Sequence, residues 1–263
     1  MTNPLTSWAV QRPNEKPGAA KACLNMLLVC AVIVGVFWLS LRAIDVTFDF
    51  SFLGDFKARI LQGFGMTVAL SLASFVMSLA LGILSALGQG SRVLSLRYLC
   101  GLYVKVVRGT PLIMQIYLFF YIIGTAWGIE NRFWAGALIL SLFEGAYIAE
   151  ILRGSFISID RTQLEAARAV GFTRRQTARF VILPQLVART LPALTGQFAS
   201  IIKDSSLLSV IAVVELTQTM REISATNFRL FECYLFLGAL YLCLTWPIAF
   251  ISRRLEGRFS YEA

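Results

Sequence analysis

Glu144, Glu150, Lys203 and Asp204 stand inside long apolar stretches of this chain. An ionised side chain is costly in hydrocarbon, so such a group by default serves a pathway, a pair or a relay. Glu144, Tyr147 and Glu150 follow at steps of three and share one stripe of a helix. Glu150 can reach Arg153 one turn on, which makes a structural ion pair its better reading. Glu144 has no such neighbour, because positions 140, 141, 147 and 148 are Leu, Ser, Tyr and Ile. It must carry a proton, pair with another helix or a second chain, or meet a solute in a watered cavity. A carboxylate in that place favours a cationic or ammonium-bearing solute. Lys203-Asp204-Ser205-Ser206 breaks another apolar run, which is tolerated only where the break is buried in protein or lines water. Adjacent helical residues do not face each other, so Lys203 and Asp204 need separate partners. They serve a pathway, a chain–chain interface, or a cap where a broken helix restarts.

Other chemistry is excluded. The chain has no histidine, which rules out His-based catalysis and His-ligated zinc. Cys23, Cys30, Cys100, Cys233 and Cys243 show no CxxC spacing and read as buried small hydrophobes, not disulfides or metal ligands. No G-x-x-x-x-G-K-[ST] occurs and no Lys follows a Gly, so the chain cannot cradle ATP phosphates in that way. No catalytic residues, metal site or bound cofactor are expected.

The elements that hold these residues are apolar helices. Of 263 residues 57% are hydrophobic and 15% charged, and the mean hydropathy is +0.69. That charge fraction is well below the roughly 25% of a soluble domain. The chain reads as an all-α membrane protein with about six spans. A polar tail over 1–21, with Pro4, Pro13 and Pro17, precedes Ala22–Leu41, which runs 20 residues without a charge. A signal peptide would need a cleavage site of small residues, and none follows, so this is expected to be a retained helix. A mixed loop covers 42–59, and the second span, roughly 64–87, has Gly65, Thr67, Ser71, Ser74, Ser78 and Gly82 for close packing. A basic loop with Arg92, Arg97 and Lys105 leads to a third span that begins near Arg108-Gly109-Thr110-Pro111-Leu112. The fourth span covers roughly 133–152, the fifth 190–214 and the sixth 233–252.

Between the fourth and fifth spans lies a polar, basic stretch, Glu165–Pro184 (EAARAVGFTRRQTARFVILP). Asp160 with Gln163 forms a capping-box start, Gly171 marks a helix stop, and Thr173 with Gln176 starts a second helix that Pro184 should end. The result is a short helix–turn–helix too polar for lipid. Its arginines could touch DNA phosphates, but apolar spans on both sides exclude a nucleic-acid reader. With the N-terminus on the cytoplasmic side, 17 Lys and Arg fall on inner segments (1–21, 88–108, 153–189, 253–263) and 6 on outer ones. The positive-inside rule then places both termini and the loop 153–189 in the cytoplasm.

The pattern E-A-A, three residues, Gly, nine residues, Ile, any residue, Leu-Pro is met at Glu165, Ala166, Ala167, Gly171, Leu183 and Pro184, with Val181 in place of Ile. It resembles the cytoplasmic loop of permease subunits in ABC importers that depend on a binding protein. Further blocks resemble the polar amino acid branch, of the histidine/glutamine type. They are Arg108–Leu112 with Gln115, Gly145–Ile151 with Arg153-Gly154, and Gln197–Ile211. The likeness covers most of residues 60–255, the family's five-helix type I importer core, and leaves residues 22–44 as an extra N-terminal helix. It departs at 160–162, where Asp-Arg-Thr replaces the usual Pro-Lys-Gly, and at 143–144, where Phe-Glu replaces a frequent Asn-Ser.

The resemblance implies a transport subunit of the bacterial inner membrane without its own ATPase site. A separate ATPase dimer would bind ATP and receive Glu165–Ala169 in a groove, with the small Ala166 and Ala167 allowing close approach and Gly171 aiming the helix. A second permease copy or a homologous chain would complete the pathway, bordered by Glu144, Tyr147, Lys203 and Asp204. An extracytoplasmic solute-binding protein would dock on outer segments 42–59, 125–132 and 215–232. The extra helix is expected to be peripheral, packed against lipid and the outer face of the core. The competing class is a self-powered secondary transporter that uses its intramembrane carboxylates. A membrane scaffold without transport would not need those carboxylates.

Overall fold

A computed structural model describes residues 18–43 and 48–259 in two units, residues 1–49 and 50–263. The tail expected over 1–21 lies outside the described residues as far as 17. In the first unit, α1 spans Ala19–Ala43 and is long and apolar enough to cross a membrane.

The second unit is built along α2, Phe52–Gln89. Its 38 residues make about 57 Å at 1.5 Å per residue, longer than the ~30 Å hydrocarbon layer. The helix starts seven residues before the mixed loop was expected to end. Thr67, Ser71, Ser74, Ser78, Gly82 and Ser85 recur at steps of three and four and are all buried. Gly63 joins that face, whereas Gly65 is exposed. Small side chains let α5, Arg132–Ile157, lie along this face, and α2 and α5 share the largest helix–helix contact of the unit.

Residues 94–108, expected as a basic loop, form helix α3, Leu94–Arg108, followed by α4, Leu112–Tyr117, and a π-helical turn Leu118–Gly124. The chain bends by 112° between the two arms of this segment. The segment expected as the third span is therefore bent just before its expected start near Arg108–Leu112 and carries a π turn. Pro111 has no N–H to continue α3, and Gln115 repairs the break. Its amide Nε2 donates to the Val107 carbonyl at 2.8 Å and to Thr110 Oγ1 at 2.8 Å. The block Arg108–Gln115 is thus a folding device that satisfies backbone exposed by the bend.

After α5 come α6, Arg161–Ala169, and α7, Arg174–Thr177; a π turn over Ala178–Ile182 then leads into α8, Leu183–Asp204. Pro184 does not end the second helix. It sits in the first turn of α8, where its missing N–H is harmless, and the π turn absorbs the change of register. A 3₁₀ segment, Ser205–Ile211, and a left-handed Ala212 (φ 55°) follow α8. The expected outer loop 215–232 contains α9, Leu216–Asn227, and α10 runs Leu230–Phe259.

Buried Glu215 caps α9, accepting from the backbone N–H groups of Thr217 (2.7 Å) and Gln218 (2.8 Å) and from the Tyr241 hydroxyl on α10 (2.9 Å). The Leu216 N–H donates to Thr67 on α2 at 3.0 Å, so α9 is tied to two helices at once. Two apolar clusters lie along α2, one around Leu70, Leu140 and Ile201 and one around Ile60, Leu216 and Met220.

Among the described residues, four helices (α1, α2, α5, α10) pass as membrane spans by length and composition, and the bent pair makes a fifth. The cysteines are free thiols, but only Cys233 is buried; Cys23, Cys30 and Cys243 are exposed on apolar helices, contrary to their reading as core residues.

A Cβ added at Gly82 would stand 2.5 Å from Ile148 Cγ2 and 3.2 Å from the Ala149 nitrogen. Gly82→Val should therefore force α2 and α5 apart and cost about 1–3 kcal/mol. A lowered melting midpoint of the detergent-solubilised protein is the expected result, and an unchanged midpoint would contradict it.

Candidate functional site

The first candidate site is the α6–α7 loop. Asp160 caps α6 by accepting from the Thr162 N–H at 3.0 Å. The capping box expected there does not form, since Gln163 instead accepts from Gln185 of α8. At the other end the Phe172 N–H donates to the Ala167 carbonyl at 3.0 Å and the Gly171 N–H to the Arg168 carbonyl at 3.0 Å. This is a Schellman stop, and it needs Gly171 in its left-handed conformation, φ +79°. Thr173 and Gln176 start α7 as expected, through a reciprocal capping box. The Phe172 and Phe180 rings stand 6.3 Å apart and Gln185 of α8 donates to Gln163, so α6 is braced from behind, while Arg189 of α8 donates to Ser158 at the end of α5.

The loop residues divide by face. Glu165 and Ala166 are exposed, as are Gly171, Leu183 and Pro184. Ala167 is buried at 5% exposure, so only Ala166 of the two alanines is open to a partner. Arg168, Arg174, Arg175 and Arg179 surround the exposed end with positive charge.

The second candidate site is a buried carboxyl cluster. Glu144 on α5 is fully buried and accepts from Gln197 Nε2 on α8. Asp204, two turns after Gln197 and hence on the same face of α8, places its carboxyl near Glu144. The second Glu144 oxygen, Oε1, has no hydrogen-bond partner. Lys203 points away and is exposed, while Asp204 is half-buried, so the adjacent pair does separate as helix geometry requires. Sequence reasoning missed Gln197. Its seven-residue step to Asp204 was the available signal.

Tyr147 and Glu150 belong to a different cluster. Glu150 pairs with Arg153 and, at 3.5 Å, with Arg108, whose guanidinium lies 5.3 Å over the Tyr147 ring. The stripe Glu144–Tyr147–Glu150 is therefore split, with only its first member facing Gln197 and Asp204.

An exposed helix–turn–helix and a buried carboxyl beside a half-buried one do not by themselves name a protein, but comparison with known chains does. Residues 78–261 match the family described as "Binding-protein-dependent transport system inner membrane component". This chain belongs to that family. The permease is 35% identical over 213 residues to the glutamine transport system permease protein GlnP of Escherichia coli (strain K12), covering 80% of this chain and 97% of that one. It is 34% identical to the L-cystine transport system permease protein TcyB of Bacillus subtilis (strain 168), over 74% of this chain and 84% of that one. A solved amino acid ABC transporter with histidines matches at TM-score 0.75 and 31% identity, over 81% of this chain and 100% of that one. The MetNI methionine ABC transporter, at TM-score 0.64 and 19% identity, shares the fold. The permease is thus an all-helical membrane protein of the type I importer architecture.

The acceptor role of Asp160 holds its carboxyl below the usual aspartate range, chiefly through the Thr162 backbone N–H. A lowered folded-state pKa means that the cap stabilises α6 above the unfolded value and is lost as pH falls through the folded one. Amide exchange in the first turn of α6, corrected for intrinsic rate, should speed up on acidification and in Asp160→Ala at neutral pH. Equal protection in that variant would show that the cap does not hold the helix.

Proposed function

We propose that this permease carries a polar amino acid or a close analogue across the bacterial cytoplasmic membrane, driven by ATP hydrolysed on a separate ATPase dimer. The observation that carries the reading is α6: a short helix, exposed along Glu165 and Ala166, fixed at both ends and braced by α8. Exposure combined with rigidity is what a docking contact needs, because a floppy loop would absorb motion that it should transmit. Glu165 and Ala166 enter the ATPase, Ala167 supports them from within, and Gly171, Leu183 and Pro184 hold the angle. The relatives named for glutamine and cystine transport support the cargo class. ATP is bound by the partner and the permease needs no cofactor of its own.

The permease works as a pair, with a second copy or a homologous chain, and takes its cargo from an extracytoplasmic binding protein that docks on the outer segments. Both termini and the α6–α7 loop are cytoplasmic, in keeping with the Lys and Arg distribution. The helix α1 is an addition to the core that the family shares and is not required for transport. Along the pathway, Glu144 meets the cargo ammonium. Its support is a buried carboxylate with one oxygen unpartnered and a second carboxyl nearby, a combination that attracts a cation.

Two measurements on the permease reconstituted with its ATPase and binding protein test this. Gly171→Val places a β-branched residue at φ +79°, with strain of about 1–3 kcal/mol, so ATP-driven uptake should fall roughly five- to hundredfold with insertion preserved. Gly171→Asn, which tolerates the left-handed region, should retain more. Normal uptake by the Val variant would sink the coupling role. Glu144→Gln keeps shape and removes charge, and should lower uptake and shift cargo preference. An unchanged rate and preference would remove Glu144 from the pathway.

A further inference from the structure

A cavity of ≈ 790 Å³ opens beside α3, at the end of α5 from which the α6–α7 loop departs. Its walls carry three cations, Lys105, Arg108 and Arg153, against one carboxylate, Glu150. Glu150 is shared by the two guanidiniums, so one carboxylate offsets two positive charges. The Lys105 ammonium is exposed and has no partner among the described residues. Gln89 adds a donor: its Nε2 is buried with no acceptor in reach. Gly101 and Gly109 line the same space without side chains and leave it open. Net positive charge with a spare amide donor and a spare ammonium is the recognition chemistry of an oxyanion such as phosphate.

The surroundings say which phosphate. Lys105 and Arg108 lie on one face of α3 together with residues 101 and 104; at 100° per residue, 96, 99, 100 and 103 lie on the opposite face. That opposite face borders a second groove, ≈ 590 Å³ and almost wholly apolar, lined by Leu81, Leu84, Leu87, Leu96, Leu99 and Leu142. The remaining surface of α3 exposes Leu94, Tyr98, Leu102 and Val106. A 15-residue amphipathic helix, basic in its last turn and bent by 112° from the next segment, has the form of an interfacial helix. A soluble anion would use the charges and leave the apolar groove without a purpose; a phospholipid uses both.

We propose that the cavity beside α3 binds the phosphate headgroup of an anionic phospholipid, with Lys105, Arg108, Arg153 and Gln89 as its donors and the leucine-lined groove taking acyl chain. The site tethers the bent α3 segment to the membrane surface at the loop end of the bundle. It stands or falls apart from the cargo and coupling assignments, because it is read by lipid binding alone.

The test is a melting titration of the purified permease–ATPase complex in mixed micelles. Phosphatidylglycerol should raise the melting midpoint, and phosphatidylcholine at the same mole fraction should not. In Lys105→Gln the half-saturating phosphatidylglycerol fraction should rise about fivefold, the loss expected of one cation near a lipid surface. Lys105→Arg, which keeps the charge, should respond as the parent does and shows that the position tolerates substitution. An equal response to both lipids, or an unshifted titration in Lys105→Gln, overturns the proposal. If inorganic phosphate alone reproduces the full shift, the site serves a free anion and the lipid assignment fails. The same conclusion follows if the shift is reproduced by glutamine, a zwitterionic amino acid of the class proposed as cargo.

Discussion

No water is available in hydrocarbon to receive a backbone amide or carbonyl that a helix leaves unpaired, and the internal breaks of this permease are shaped by that constraint. Where Pro111 stops α3, the amide of Gln115 folds back onto Val107 and Thr110. Where α8 gives way to the 3₁₀ segment, the Ser205 hydroxyl donates to the Ile202 carbonyl at 2.8 Å. The N-terminus of α9 is closed by the Glu215 carboxylate, which also accepts from the Tyr241 hydroxyl of α10. The Gln115 and Glu215 repairs reach a second helix, so those two breaks also fix their neighbours. The bends are consequently stable features rather than loose joints.

The same economy links the loop to the buried carboxyls. From Arg174 the backbone stays helical through α7, the π turn and α8 to Asp204, without a free joint between. One end of this run braces α6 through Gln185 and holds Ser158, at the end of α5, through Arg189. The other end carries Gln197 and Asp204 against Glu144 on α5. One continuous helical run thus carries the contacts to α6, to Ser158 at the end of α5 and to Glu144. The tight fit of α5 on the small-residue face of α2 leaves little room for α5 to shift.

Sequence reasoning succeeded where the physics is local. The Gly171 stop and the Thr173–Gln176 box are decided within a few residues, as is the i,i+3 pair of Glu150 with Arg153, and all three stand in the structure. The apolar spans near 133–152 and 233–252 follow from hydropathy and lie within α5 and α10. It failed where a distant partner intervenes. Gln163 was free to close the Asp160 cap until Gln185, 22 residues on, offered a competing donor. Pro184 looks like a helix terminator, yet a π turn before it lets the helical run continue.

Composition, periodicity and the spacing of the loop motif thus determined by themselves that this is a helical membrane protein with a rigid polar helix–turn–helix between its spans. Those properties depend on transfer energies and on hydrogen bonds within one turn. Only the tertiary structure decided that Glu144 parts from Tyr147 and Glu150. A helix stripe three residues wide faces different neighbours along its length, and α8 and α3 approach α5 at different heights. Only it decided, too, that residues 94–108 are helical. Their charges read as a loop, but Val104 and Val107 find a buried place in the core, and that packing, invisible in one dimension, outweighs local polarity.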